Sequence, residues 1–330
     1  MDSQLATSNI FGCDLFEALP FFKDDMASME HPVFSLSHKP GQRGLRYEHN
    51  GNTILIKPGQ DGLPTIHDKD ILIYAASYLR AAMNDGVAPS RTLRFVTLDF
   101  LTQTGKRADG DAYERFKAAL DRLSGVRIKT NIKTGKVCIE ESFGLIDAWR
   151  AVSEESNGRI IAAEIDISKW FYNSVLGNEL LTISPEYFGL RSPLERRIYE
   201  LARKHCGTQV SCKIGLDKLH AKTGSSSTLR EFRRIVRRIV ADNGLPDYSL
   251  SLTRDILTFR NRQLEHLAAI ERPPITLRPE TYEKARLAAP GWDIYALEQQ
   301  WRAWVAKKKE PLKRPDSAFI AFCRKKGACP

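Results

Sequence analysis

The stretch Ser225–Asn243, SSSTLREFRRIVRRIVADN, decides how the rest of the chain is read. At about 100° per residue, Leu229, Phe232, Val236, Ile239 and Val240 fall on one side of a helix. The opposite side carries Ser227, Arg230, Arg234, Arg237 and Arg238, with Arg233 on the flank. Like charges at i,i+4 destabilise an isolated helix, so the clustering has a cost that an anionic ligand can offset. Arginine's planar fork grips phosphate, or the O6/N7 edge of guanine, through two hydrogen bonds. The alternative is a solvated basic face, the commonest fate of a charge run.

The flanks favour a DNA-reading helix. Leu216–Thr223 (LDKLHAKT) reads as a short helix stopped by Gly224, and Ser225-Ser226-Ser227 supplies an N-cap and a polar turn. Downstream, Gly244, Pro246 and Asp247 break the basic helix. The alternating runs Tyr248–Leu252 and Ile256–Phe259, joined by Thr253-Arg254-Asp255, predict a β-hairpin. Helix, turn, basic helix and hairpin is the winged-helix order, in which the second helix enters the major groove. The expected groove set is Ser226, Ser227, Arg230, Arg234, Arg237 and Arg238. Lys222, Arg233, Arg254 and Arg260 are expected to meet phosphates.

The same pattern occurs earlier in the chain. Asp68 opens a helix to about Asn84 with a stripe of Ile71, Tyr74, Ala75, Tyr78 and Leu79. It parallels the helix Ser192–Lys204, whose Ser192-Pro193-Leu194-Glu195 predicts a capping box with Pro at the first position. Leu98-Asp99-Phe100-Leu101 parallels Leu216-Asp217-Lys218-Leu219. Phe116, Leu120 and Leu123 parallel Phe232, Val236 and Ile239, an offset of 116 residues. An internal duplication predicts two copies of one architecture. The expected fold is therefore α+β: two tandem winged-helix domains followed by a small helical module. The expected boundaries are 1–30 for an N-terminal segment, 31–152 and 159–265 for the two domains, 266–278 for a linker and 279–330 for the module.

The two copies differ in charge. The helix from Asp111 in the first copy carries acids and bases in balance, and its basic residues fall on the runs Val126–Ile132 and Lys136–Ile139. These runs are expected to form that domain's wing, with Arg127, Lys129, Lys133 and Lys136 against phosphate. Strands are also expected at Val33–Leu36 and Thr53–Ile56, and a polar, acidic linker at Ser153–Gly158. At the N-terminus, Phe11, Leu15, Phe16, Leu19, Phe21 and Phe22 are expected to dock a loosely ordered segment onto the body.

In the C-terminal module, Ile294, Leu297, Trp301 and Trp304 share one helical stripe. From Arg302 to Pro330 there are nine Lys or Arg against two acidic residues. Aromatics beside a basic surface suit single-stranded nucleic acid. Trp301, Trp304, Lys307, Lys308 and Lys309 are thus candidates for single-strand or partner contact. The alternative is that Trp301, Trp304 and Phe319 form the module's own core, since some fifty residues need every large apolar side chain they have.

A net charge of +10 over 330 residues points to an acidic partner, nucleic acid first. No run has the length of a transmembrane helix and no secretory leader pattern opens the chain, so a cytoplasmic protein without a membrane partner is expected. Six scattered cysteines without a CxxC pair predict free thiols and no zinc. Gly135-Lys136 lacks the earlier glycine of a phosphate-cradling loop, and no HExxH, GxSxG or kinase set appears. Glu164 and Asp166 alternate on one strand face and have the chemistry to share a metal, although a solvated edge is the commoner meaning of such a pair. The expectation is no enzyme, no cofactor and no metal.

Lys23–Ser37 (KDDMASMEHPVFSLS) and Ile66–Tyr74 (IHDKDILIY) resemble the signature stretches of the plasmid replication initiator protein A family, and the resemblance covers most of residues 13–262. It implies a non-enzymatic protein that binds short direct repeats (iterons) in double-stranded origin DNA as a monomer and helps open an adjacent A·T-rich segment. It also implies recruitment of the host initiator and replicative helicase. Such initiators often dimerise through the first winged helix and repress their own gene, which bears on plasmid copy control. Two alternatives stand beside it: a winged-helix transcriptional regulator without a replication role, and an enzyme that nicks or primes DNA.

Overall fold

A computed structural model describes residues 18–49, 52–130, 133–134, 137–138, 141–153, 160–207, 209–270, 275–290, 292–306 and 314–327. They fall into two compact units, one ending at His266 and the other starting at Leu267. Among the described residues, no helix is long and apolar enough to cross a membrane.

The larger unit opens with strand β1 (Phe22–Asp25) and a short helix α1 (Met26–Glu30). Strands β2 (Leu45–His49) and β3 (Asn52–Lys57) lead to α2 (Lys69–Asn84), β4 (Thr92–Val96), α3 (Thr97–Gln103) and α4 (Gly110–Gly125). Next come β5 (Arg127–Thr130), β6 (Lys133–Thr134), β7 (Val137–Cys138), β8 (Glu141–Phe143), β9 (Ile146–Ser153) and β10 (Ile160–Ile167). After α5 (Lys169–Leu176) and β11 (Leu180–Ile183), the chain forms α6 (Pro193–Cys206), β12 (Ser211–Gly215), α7 (Leu216–Thr223) and α8 (Leu229–Asp242). Strands β13 (Tyr248–Thr253) and β14 (Ile256–Asn261) precede α9 (Arg262–Ile270).

The order α2-β4-α3-α4-β9-β10 recurs as α6-β12-α7-α8-β13-β14. The sheets agree as well: β4-β10-β9 matches β12-β14-β13, both antiparallel. The partner of β4 is thus β10, paired Ala162↔Val96 to Asp166↔Thr92, and not a strand from 126–139. The expected first wing is corrected accordingly. β5 lies in a separate sheet, β2-β3-β5-β8, in which β5 and β8, from the insertion between α4 and β9, pair onto β2 and β3 from before α2. The alternation in β5 fits any half-buried strand, so it predicts a strand without saying which neighbour it pairs with. The expected boundary at 152–159 falls between two paired strands, β9 and β10, so the acidic run is a connection within one copy. Residues 154–159 themselves lie outside the described residues.

Other local expectations shift too. The N-terminal segment is part of the body from Leu19 on, because β1 pairs with β11 from Phe22↔Ile183 to Asp25↔Leu180. Leu19 and Phe22 are buried; Phe11, Leu15 and Phe16 lie outside the described residues. Val33–Leu36 makes one isolated bridge, Ser35↔Thr65, rather than a strand. Pro193 starts α6 as expected, but the Ser192 hydroxyl takes no helix N–H. Glu164 and Asp166 have protein partners: Glu164 accepts from Arg94 (2.5 Å) and lies 3.5 Å from Arg150, and Asp166 accepts from Thr92.

The second unit holds α10 (Pro279–Ala288), α11 (Ile294–Ala306) and α12 (Pro315–Gly327). Its core is Leu277, Ala285, Ala289, Ile294, Leu297, Trp301, Val305, Phe319 and Cys323. Leu277 is buried there, so the module begins within the expected linker. The other end of that linker is helical, since α9 runs to Ile270. Trp301 is fully buried, its ring 5.2 Å from that of Phe319, and is corrected from contact candidate to core. Trp304 remains 44% exposed, and Lys307, Lys308 and Lys309 lie outside the described residues.

Candidate nucleic-acid interface

Thr228, not the three serines, caps α8: its hydroxyl accepts from the Glu231 N–H at 3.3 Å. Asn243 ends the helix in the left-handed conformation, and its side chain accepts from the Leu250 N–H at 2.9 Å, fixing the start of the hairpin. Phe232, Val236 and Ile239 are buried, and the Phe232 ring meets the His220 imidazole of α7 at 4.8 Å. His220 Nε2 in turn lies 2.8 Å from the Ser227 carbonyl, which holds the turn between the two helices. Gly224 sits in this turn at φ +69; a Cβ there would come within 2.6 Å of Pro32 and 2.7 Å of the Tyr47 hydroxyl.

With its apolar side fixed, α8 turns Arg230, Arg234, Arg237 and Arg238 to solvent. Arg230, Arg237 and Arg238 have no acidic partner within 4.0 Å among the described residues. Arg234 forks onto Glu231 one turn earlier, closest at 2.6 Å. That pair is exposed, so it competes weakly with a phosphate or a base edge. Ser226 is exposed in the turn, whereas Ser227 is half-buried and bonded to Ser225. Arg254 stands at the tip of the β13–β14 hairpin with φ +56, exposed.

Several other sequence candidates also make contacts within the molecule. Arg233 forks onto Asp255 (2.8 and 3.2 Å) and ties α8 to the hairpin tip. Arg260 donates to the Ser251 hydroxyl at 2.9 Å and lies 3.9 Å from Glu265. Lys222 is bonded to Glu30 of α1. Lys222, Arg233 and Arg260 thus also link elements of the larger unit, and the half-exposed Arg233–Asp255 pair, like Arg234–Glu231, competes weakly with a phosphate. Arg127 and Lys129 are exposed on β5, in the sheet of β2, β3, β5 and β8. Lys133 lies on β6, and Lys136 is outside the described residues.

Sequence reasoning assigned no chemistry to the residues beneath this surface. Lys69 of α2 sits fully buried between Asp24 of β1 (2.8 Å) and Glu200 of α6 (3.0 Å). Glu200 also takes Arg197 at 2.9 Å and the Tyr187 hydroxyl at 2.8 Å. Two carboxylates share one ammonium. Burial pushes Asp24 up to about 8, with Glu200 adding to it against the pull of Lys69. Burial also opposes ionisation of Glu200, but Lys69 and Arg197 outweigh it and hold that carboxyl low. Arg197 continues to the carbonyls of Ser28 (2.8 Å), Met29 (3.0 Å), Glu30 (3.2 Å) and Lys222 (2.9 Å), the last at the end of α7. A second branch joins Asp70 to Arg196 (2.6 Å) and Lys106, and a third joins Asp68 to Arg122 with two 2.8 Å bonds. Burying these charges is tolerable only because each is paired and hydrogen-bonded. The available signal was charged residues set within apolar runs: Lys69-Asp70 ahead of Ile71-Leu72-Ile73, and Arg196-Arg197 between Leu194 and Ile198.

Asp24, Ser28, Met29 and Glu30 of this network belong to the first of the two stretches singled out in the sequence, and Asp68, Lys69 and Asp70 to the second; their partners at Lys106, Arg122, Arg196, Arg197 and Glu200 come from elsewhere. The sequence profile of the family described as Replication initiator protein A matches residues 23–250. The chain belongs to this family. A curated protein of Wigglesworthia glossinidia brevipalpis, named "Putative replication protein", is 42% identical over 250 residues, covering 73% of the initiator described here and 89% of that protein. Two crystal structures of domains 2 and 3 of RctB resemble the initiator with TM-scores of 0.51. One covers 69% of this chain and 94% of that chain at 15% identity; the other covers 74% and 99% at 14%. At such identity the likeness concerns the fold: a mixed arrangement of helices and antiparallel sheets.

Proposed function

We propose that the initiator binds repeated duplex sites at a plasmid origin through α8, placed in the major groove, with the β13–β14 hairpin on the flanking backbone. Each copy of the repeated architecture is read as a winged helix. A major groove about 12 Å wide admits a helix, and arginine pairs bidentately with guanine there. The observation that carries this reading is the outward face of α8, where Arg230, Arg234, Arg237 and Arg238 are all exposed beside Ser226. The work is binding and opening of DNA without covalent chemistry, cofactor or metal, in the cytoplasm. Recruitment of a host initiator and replicative helicase, and dimerisation through the first copy with repression of the protein's own gene, complete the proposal on family resemblance.

A footprint on the DNA flanking the protein's own gene tests it. Protection of direct repeats spaced by one or two helical turns is the expected result; protection without repeats, or none, overturns the iteron reading. The C-terminal module has its own core, so a chain ending near Arg272 is expected to keep duplex specificity and lose origin opening. Gel shifts on duplex and on single-stranded origin DNA then assign the module. Loss of the single-strand complex alone marks a strand-holding module, and loss of neither marks a docking site for a replication protein.

A further inference from the structure

The C-terminal module exposes aromatic side chains at both ends of α11, in different surroundings. At the start of the helix stand Trp292 and Tyr295, 47% and 61% exposed. The charges beside them are paired locally. Arg286 is held by Glu283 at 2.6 Å, and Asp293 caps the helix by accepting from the N–H groups of Tyr295 (2.9 Å) and Ala296 (3.2 Å). At the other end, the 44% exposed indole of Trp304 lies 6.2 Å from the Phe322 ring of α12, tilted by 35°. Phe322 packs against the module's core and so anchors this end of the helix pair. Lys326 Nζ stands 6.0 Å from the Phe322 ring, and Arg324, Lys325 and Lys326 are all exposed. None of these three has an acidic partner within 4.0 Å among the described residues. Glu298, the carboxylate of this part of α11, is held by Arg302 at 2.6 Å. In sequence, residues 307–314 between the two helices add five Lys or Arg against Glu310.

We propose that Trp304 stacks an unpaired DNA base while Arg324, Lys325 and Lys326 hold the phosphates on either side of it. Cations in the last turn of a helix complement its dipole, which accounts for the three basic residues but not for an indole left in water beside them. An open aromatic face among cations without counter-charges calls for flat rings carried on a chain of anions. In a duplex, neighbouring bases cover both faces of each base, so an unpaired strand is the form of DNA that can offer one to the indole. The Trp292–Tyr295 end has rings but balanced charge, and is no part of the site. The inference rests on the reading of the protein as one that opens an origin, where unpaired DNA arises, and it assigns the module to holding that strand at named residues.

The experiment is fluorescence anisotropy of the full-length protein with labelled oligothymidylate of twenty nucleotides, beside a footprint on duplex origin DNA. Saturable strand binding is expected. Trp304→Ala should weaken it about tenfold, the stacking of one base, and leave the salt slope unchanged. Joint Arg324→Gln, Lys325→Gln and Lys326→Gln should lower the slope by about two units. Joint Trp292→Ala and Tyr295→Ala should change neither quantity. Added strand should also quench indole emission, and Trp304→Phe, which keeps a ring, should bind the strand yet lose that quenching. No saturable strand binding overturns the proposal, as does quenching that persists in Trp304→Phe. Cooperatively unfolding Trp304→Ala that binds the strand unchanged overturns it too; if that variant also fails in replication, the surface is a protein-docking site instead. The duplex footprint should be the same for all these variants, so its failure in the wild-type protein bears on α8 and not on the module.

Discussion

The helix pairs α3–α4 and α7–α8 occupy the same place in two copies of one arrangement, yet only the second presents a bare basic face. On α8 the solvent side is Arg230, Arg234, Arg237 and Arg238; on α4 it includes Asp111, Glu114, Arg115 and Lys117, acids and bases together. The difference extends to what covers the helix. The segment before α2 lies against α4: Asp68 forks onto Arg122, and Gly59 approaches the end of the helix so closely that a Cβ there would stand 2.8 Å from Gly125. Nothing comparable among the described residues covers the arginine face of α8. Duplicated topology therefore does not duplicate a basic face; the charge and the cover of the second helix differ between the copies.

The largest effect tests whether the two copies are mechanically one body. Lys69→Met leaves Asp24 and Glu200 buried without their shared partner, which should cost about 3–5 kcal/mol in denaturant unfolding. Because the network joins β1, α2 and α6, residues 18–266 should still unfold in a single step. Two separated transitions within that unit would show that the copies are independent, contrary to the network's role.

Next in size is the contrast between the two second helices. Arg230→Ala or Arg234→Ala should weaken binding to the specific site by about 1–3 kcal/mol and relax base choice locally. Glu114→Ala or Lys117→Ala on α4 should leave the ratio of specific to random binding unchanged. Equal losses on specific and random duplex for the α8 variants would reduce those arginines to phosphate contacts.

A smaller effect separates the copies by pH. His67 lies beside α4 with its pKa depressed from 6.5 to about 4, so the folded state binds the proton less readily than the unfolded chain. The resulting stability is present above pH 6.5 and is lost as pH falls through about 4. His67→Gln should remove about 1 kcal/mol of that acid sensitivity, a figure reduced from the full shift because the ring is partly exposed. Parallel stability curves for the two proteins from pH 7 to 4 would contradict this.

The smallest effect concerns the strands. Arg254→Ala at the β13–β14 tip should weaken all duplexes alike and lower the salt slope by about one unit. Arg127→Ala and Lys129→Ala, on β5, should leave the slope unchanged. The reverse result would move the DNA path onto the first copy.

Periodicity and punctuation in the sequence determined most of the elements. The α8 stripe, the stop at Gly224, the hairpin around Arg254 and the parallel between the helices of the two copies all follow from local side-chain spacing. Local spacing also limited the proposed DNA-reading residues to one helix face, since a helix places residues three and four apart together whatever surrounds it. The tertiary structure alone decided the strand partners, because alternation gives a strand a buried face but not a neighbour. β10 therefore displaced 126–139 beside β4. It also decided which cations meet a partner. Lys222, Arg233 and Arg260 look like Arg230 in sequence, yet Glu30, Asp255 and Ser251 reach them from 192, 22 and 9 residues away. The buried Asp24–Lys69–Glu200 network shows the same limit, because such charges are stable only where distant segments bring their opposites together. No local pattern specifies that meeting.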